Sequence, residues 1–433
     1  MGRLKLNFKR IVVLNDIRSV KDFYKKDEVL KRPECFDPGR NTLPGLATFN
    51  GEVWAANKRF CMTMLHDLGF AKTSMEEHMM TEFRRTAAEL EEARGAPLSV
   101  GSLLMRTALN NILKFFIGSG FPDESDAQTQ LLHVVNRVQI AMLNDGIVQF
   151  VPGVIRALLQ LLPFTRKSRL EAATKELYDF LGQLIQNYKG RLEENKDQSF
   201  VGGYLKKIEE ARKDPSPKFQ YRYLIGNMAS FIAAGTTSVS TSMECLFVLL
   251  AMHEDGIQAI VRREIDEAVG RQRLPTWDDR KRTPFTMACV WELERWKRRF
   301  PTGAARETSD DVVVDNLFIP KGTMVLLNMF AVHNDPKYWK EPERFDPNRF
   351  LNDDGSFRSP KPDSAIPFSF GKRSCPGETF ALMEIYLLLT FLMQKFRVTL
   401  DNPPQSDRDD KDLKFYKFDN LKLRFQPRLS GQF

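Results

Sequence analysis

Residues 365–400, reading AIPFSFGKRSCPGETFALMEIYLLLTFLMQKFRVTL, constrain this chain more than any other stretch. Phe368, Gly371, Arg373, Cys375 and Gly377 stand in the spacing F-x-x-G-x-R-x-C-x-G, and an apolar run of helical periodicity follows from about 378 to 396. Cys375 is therefore expected just ahead of a helix N-terminus. There the unpaired backbone N–H groups and the positive end of the macrodipole favour a thiolate over a thiol, and a thiolate suits a metal. Gly371 and Gly377 are read as freeing space on either side of the sulfur for a flat group, with Arg373 as a planar fork for a carboxylate at its rim. A lone cysteine is usually a buried hydrophobe; the five matched positions around this one set it apart.

The remaining composition narrows the class. Hydrophobic residues at 42% and charged residues at 28% are those of an ordinary globular protein with ample chain for a large core. Cysteines at 35, 61, 245, 289 and 375 are odd in number and form no C-x-x-C, which points to a reducing compartment without a disulfide framework. A net charge of +8 admits nucleic acid, an acidic membrane surface or an acidic protein as partner. No zinc-finger spacing or other nucleic-acid motif accompanies it, so that class is set aside. The apolar stretch 146–164 carries Gln149, Arg156 and Gln160 and is broken by Pro152, so no bilayer-spanning segment is expected. The N-terminus lacks the hydroxyl residue of a myristoylation signal.

In chain order, residues 11–14 read as a short strand that turns at Asn15-Asp16 into a helical stretch over 20–30. In GEVWAANKRF, Trp54 and Lys58 lie four apart on one helical face, where both reach a single planar anion. Amphipathic helices over 75–195 are interrupted by turn residues at 118–122 and 151–153. Residues 224–253 form the longest apolar, glycine-poor run, as one buried helix of about 30 residues would. At its centre Ala234 and Gly235 leave a shallow groove, and the hydroxyls of Thr236, Thr237 and Ser238 can disturb the backbone bonding. Glu292 and Arg295 have helical pairing distance, although such pairs are mostly exposed and contribute ~0–1 kcal/mol. His333 has no partner at ligand spacing and is read as stabilising a turn. Strand-rich segments at 311–314 and 322–327 and an alternating terminal hairpin at 421–425, with an apolar tip at 414–418, complete the chain.

These segments, in this order, resemble the cytochrome P-450 family across nearly the whole sequence. The resemblance implies one mainly α domain over 1–433 with a small β-rich edge, and a haem b (iron protoporphyrin IX) between the central helix and the Cys375 loop. Cys375 is then the axial thiolate on the iron, within a loop of Phe368, Gly371, Arg373 and Gly377. Trp54 and Lys58 match the family's W-x-x-x-R propionate contact, with Lys58 keeping the charge and losing the fork. Arg306, in Pro301-Thr302-Gly303-Ala304-Ala305-Arg306, matches another propionate contact. Ala234 and Gly235 lie over the haem. The family's A-G-x-(D/E)-T-(T/S) places Thr237 at the acidic position and Ser238 at the threonine; a shift of one residue makes these Thr236 and Thr237. The acid is absent in either register. Glu292, Arg295 and Arg349 match a structural triad that holds the loop ahead of the cysteine. Phe150, Val151, Leu158 and Leu159 fit either a channel lid resting on a membrane or plain core.

The stretches PTGAAR and NMFAVHNDP look most like microsomal-type members. Those insert one oxygen atom of dioxygen into a small apolar substrate, with electrons from an NADPH-dependent flavoprotein reductase and cytochrome b5 as a second donor. They work on the cytoplasmic face of the endoplasmic reticulum membrane. The anchor, hinge and first strand that such members carry are not found ahead of residue 11. Lys58, Arg59, Lys372 and Arg373 are expected to form a basic face that steers an acidic electron donor. Two rival readings accompany this one: a haem-thiolate isomerase or dehydratase of oxygenated lipids, which needs no proton relay, and a truncated chain that binds haem or lipid without turnover.

Overall fold

A computed structural model describes residues 2–6, 9–33, 44–118, 126–144, 166–192, 199–215, 217–297, 301–401 and 421–428. The described chain runs β1 (Gly2–Leu6), β2 (Lys9–Leu14), α1 (Ile17–Tyr24), α2 (Gly51–Asp67), α3 (Glu76–Glu92), α4 (Gly101–Ile117), α5 (Asp126–Asn144), α6 (Arg166–Leu192), α7 (Phe200–Glu210) and α8 (Tyr221–Met252). It continues through α9 (Ala259–Ala268), α10 (Pro284–Trp296), β3 (Arg306–Glu307), β4 (Val312–Val314), β5 (Leu317–Ile319), β6 (Met324–Leu327), α11 (Met329–His333), α12 (Glu378–Lys395), β7 (Phe396–Leu400) and β8 (Leu423–Pro427). The result is mainly α with small sheets, as the sequence implies.

Local chemistry sets these boundaries. Asp16 caps α1 by accepting from the N–H groups of Arg18 and Ser19. The helix then stops at Tyr24 instead of running to residue 30, and residues 27–29 make a single 3-10 turn. Pro284 opens α10, where a missing N–H costs nothing, and Gly118 closes α4 in a left-handed conformation at φ 75°.

The long apolar run becomes α8, whose buried residues lie on nearly all sides, as in a helix enclosed by others. It packs on α4, α6, α10, α12 and β7. By length and composition alone α8 could cross a membrane, yet 61% of its most apolar window is buried inside the protein. It is the core helix. The second helix of the core is α12, buried from Phe380 to Gln394 on almost every face.

The β-rich edge is a four-stranded sheet in the order β1-β2-β6-β3, parallel between β2 and β6 and antiparallel elsewhere, beside two ribbons, β4-β5 and β7-β8. A strand does precede residue 11: Gly2–Leu6 pairs with Lys9–Leu14, where the sequence reading expected none. Five residues alternating between basic and apolar are too short a pattern to stand out without the partner strand. The break at 151–153 with its apolar neighbours, the tip at 414–418 and Cys35 lie outside the described residues.

Candidate active site

The cysteine loop is built by backbone geometry. Cys375 N–H donates to the Phe368 carbonyl at 2.9 Å and Ser374 N–H to Gly371 at 2.9 Å. Closing this turn puts Ser369 at φ 66° and Gly371 at φ 77°. A Cβ on Gly371 would stand 2.4 Å from the Tyr24 carbonyl, so the approach of α1 to the loop requires glycine here. Gly377 is the glycine beside the sulfur: a Cβ there would meet nothing nearer than Cys375 Sγ at 4.0 Å. Phe368 packs edge-on against Trp291 of α10, with ring centroids 5.9 Å apart.

Behind the loop the expected triad is assembled. Arg295 and Glu292 form a bidentate pair, both bonds 2.7 Å, and Arg349 reaches Glu292 at 3.3 Å. Asp346 N–H donates to the same carboxylate at 3.0 Å. Arg295 also donates to the carbonyls of His333 at 2.8 Å and Pro342 at 3.1 Å. The ring of His333 in turn accepts Ile366 N–H at 3.0 Å, so the triad is tied through one histidine to the strand of chain that enters the cysteine loop. That is the turn-stabilising role its spacing suggested.

Cys375 has accessible surface, while Cys61, Cys245 and Cys289 are buried. Burial nevertheless pushes its thiol up to about 11; the Gly377 N–H works against this, and Glu378 and Glu294 reinforce it. Without a cation, desolvation outweighs the helix terminus; a bound cation would favour the thiolate that the sequence suggests.

Three guanidiniums gather beside the loop. Arg373 donates to the carbonyls of Leu30 at 3.1 Å and Phe49 and lies 3.8 Å from the Trp54 ring centroid. Arg32 donates to Ala304 at 2.9 Å and Ala305 at 2.8 Å. Arg306, 1% exposed, donates to Phe370 at 2.9 Å and stacks 3.5 Å from the Tyr24 ring centroid. None of the three has a carboxylate partner among the described residues, and burial followed by their mutual charge lowers Arg373 to about 9. Burial lowers Arg306 to about 10 and also lowers Arg32. One Arg306 nitrogen (Nη1) and the Tyr24 hydroxyl are buried with no hydrogen-bond partner among the described residues. Buried donors in that state call for an acceptor, which a bound anion would supply. Arg32 and Tyr24 were not found in the sequence: Arg32 stands in a Lys-Arg-Pro turn and Tyr24 at the end of an amphipathic helix, and neither has a spacing that marks it. Lys58 lies 5.2 Å from the Trp54 centroid and donates to the Lys372 carbonyl, which ties α2 to the cysteine loop.

On α8 the six central residues divide by face. Ala234 is exposed and Ser238, one turn on, is partly so; the Ser238 hydroxyl donates to the Ala234 carbonyl. Thr236 and Thr237 are buried, and Thr237 Oγ1 lies 3.4 Å from the Ala233 carbonyl. A Cβ on Gly235 would come within 2.8 Å of Ile112 Cδ1, so this glycine lets α4 approach α8 closely.

Clustered cations with unpartnered buried donors, an accessible thiol and an open alanine face suit a flat dianion carrying a thiophilic metal, and haem b has that chemistry. The family pattern of cytochrome P-450 matches residues 1–423, and the chain belongs to that family: it is a haem-binding oxidoreductase of the monooxygenase type. It is 30% identical to cytochrome P-450 2G1 of Oryctolagus cuniculus over 406 residues, covering 91% of this chain and 79% of that protein. It is 32% identical to cytochrome P-450 2G1 of Rattus norvegicus over 397 residues (88% and 77%) and 30% identical to cytochrome P-450 2U1 of Homo sapiens over 402 residues (90% and 72%).

Proposed function

We propose that Cys375 is the iron ligand of haem b and that Arg32, Arg306, Arg373 and Tyr24 hold its two propionates, with Trp54 backing Arg373 and Lys58 fixing the loop. The observation that carries this reading is the acid-free cluster of buried guanidiniums next to the one accessible cysteine among the described residues. When bound, the haem supplies the redox chemistry by which one atom of dioxygen enters a substrate. The protein's own work is different. The triad and His333 hold the cysteine loop rigid, the buried packing of α8 and α12 keeps bulk water away, and Ala234 leaves space on the opposite wall for a small apolar substrate.

Electrons come from an NADPH-dependent flavoprotein reductase, with cytochrome b5 as a second donor, on the cytoplasmic face of the endoplasmic reticulum membrane. Support for this is the similarity to the family's 2G1 and 2U1 members and a basic surface near the cysteine loop. That surface is smaller than its sequence suggested: Arg373 is buried, Lys58 is half-buried, and Arg59 and Lys372 remain exposed, Lys372 against Asp27. Replacing Cys375 with serine is the test. The reduced carbon monoxide complex of Cys375→Ser is expected to lose its red-shifted Soret band; a retained band would assign the iron to another cysteine.

A further inference from the structure

The family's acid is missing from the centre of α8, yet an acid reaches that helix from elsewhere. Glu294 of α10 accepts a hydrogen bond from Ser242 Oγ at 2.7 Å. Ser242 lies one helical turn beyond Ser238, which lies one turn beyond Ala234, so the three share a face. All three keep accessible surface, whereas Thr236, Thr237, Val239, Ser240 and Met243 are buried. Glu294 also stays partly accessible, and its charge is close enough to raise the Cys375 thiol. This face of α8 and Glu294 are joined by the Ser242 bond, and both keep accessible surface.

From this geometry we infer that Glu294 is the proton store of the reaction, and that Ser242 and Ser238 pass its proton along α8 to the oxygen side. Residues one turn apart have Cβ atoms ~5–6 Å apart, a span that one water closes with two hydrogen bonds. The step balances as a relay. Once protonated, Glu294 donates to Ser242 Oγ, the reverse of the bond made by the carboxylate; its proton passes to Ser242 as the Ser242 hydroxyl, turned from Glu294, gives its own to the bridging water, and a water proton moves to Ser238 as the Ser238 hydroxyl, turned from the Ala234 carbonyl, delivers its own. The carboxylate left at Glu294 is reprotonated from solvent. A hydroxyl passes a proton on without storing one, so the chain needs a carboxyl, and placing it on α10 supplies what Thr237 cannot. Burial holds the Glu294 carboxyl up at about 7, where it can both keep and release a proton near neutrality; Ser242 draws it back down. Among the described residues, Glu294 shares its influence on the Cys375 thiol with Glu378, and on the Cys245 thiol with Lys297 and Glu244.

The inference rests on the haem-thiolate reading, and the test keeps the two apart. Infrared difference spectra of the purified protein between pH 6 and pH 8 are expected to show a protonated carboxyl stretch that shifts in D2O, vanishes in Glu294→Gln and returns in Glu294→Asp. Glu294→Gln, Ser242→Ala and Ser238→Ala are each expected to lower product formed per NADPH consumed by about tenfold, with the balance appearing as hydrogen peroxide. That is below the ~10²–10⁴-fold of a donor acting in one step, because water reaches this face as well. The red-shifted Soret band stays unchanged in all of them. Burial raises Glu384 to about 8, so its band is expected in every spectrum; a wild-type difference spectrum unchanged in Glu294→Gln, or coupling unchanged in both Glu294→Gln and Ser242→Ala, overturns the inference. If wild type itself lacks the Soret band, the haem-thiolate reading fails, and the infrared arm still decides whether Glu294 stores a proton.

Discussion

Replacing Arg295 with methionine keeps most of the volume of the stem and removes five N–H donors from a site that is 0% exposed. Glu292 loses both bonds of its bidentate pair, and the carbonyls of His333, Pro342 and Arg344 lose theirs. Breaking a buried pair from one side costs ~3–5 kcal/mol, several times the ~0–1 kcal/mol of an exposed pair. With an unfolding entropy of ~2.1 cal/mol/K per residue, a chain of this length gains about 0.9 kcal/mol/K, so Tm is expected to fall by ~3–6 °C. Haem content should fall as well, because the Arg295–His333–Ile366 chain steadies the entrance to the cysteine loop. The pH dependence gives a second check. Burial already raises the Glu292 carboxyl, and without Arg295 it rises further. An acid whose folded pKa lies above its unfolded value stabilises the fold fully below the unfolded value, near pH 4, and loses that contribution as pH rises through the folded value. Arg295→Met is therefore expected to be closer to wild type at pH 5 than at pH 8. The measurement is calorimetric melting of the purified protein at both pH values, with Glu292→Gln and the double variant closing the cycle. A loss below about 1 kcal/mol, or additive single effects, would refute the account of a desolvated, interdependent pair.

Two further outcomes follow from the same site. Gly371→Ala forces φ 77° on an L side chain and presses a Cβ to 2.4 Å from the Tyr24 carbonyl, so it is expected to lose most of its haem on purification; Gly377→Ala, with φ −98° and open space, should keep it, and equal haem content in the two would count against the loop geometry. Reduction by the flavoprotein should slow as the Debye length falls from ~30 to ~8 Å, and Lys372→Gln should flatten that dependence while Arg373→Gln should not, since only Lys372 is exposed; stopped-flow kinetics across salt decide it, and a flat wild-type profile removes the steering role.

What the sequence disclosed depended on how local the cause was. The cysteine loop, the central helix and the Glu292–Arg295 spacing are written in consecutive residues, and each is where the pattern placed it. Arg349 joins that pair across more than fifty residues of chain and was legible only through the family resemblance. Arg32 and Tyr24 were illegible because they come to stand beside Arg306 only once α1, the loop at residue 32 and β3 converge. Gly371 was legible from spacing, while the Tyr24 carbonyl that requires a glycine there was not. The helix terminus at Cys375 was legible from periodicity, whereas the desolvation that raises its thiol was not.

The guanidinium cluster also bears on the life of the chain before it works. Like charges packed together at Arg32, Arg306 and Arg373 repel, and the residues around them offer carbonyl dipoles but no counter-ion among those described. A dianion that binds only the folded chain draws the equilibrium toward it by about 2.7 kcal/mol at a hundredfold excess over its Kd and by about 4.1 kcal/mol at a thousandfold. Folding and cofactor capture are then one equilibrium viewed from two ends. The abundance of this protein is therefore expected to follow the supply of haem, with the unfolded fraction exposed to proteolysis under shortage.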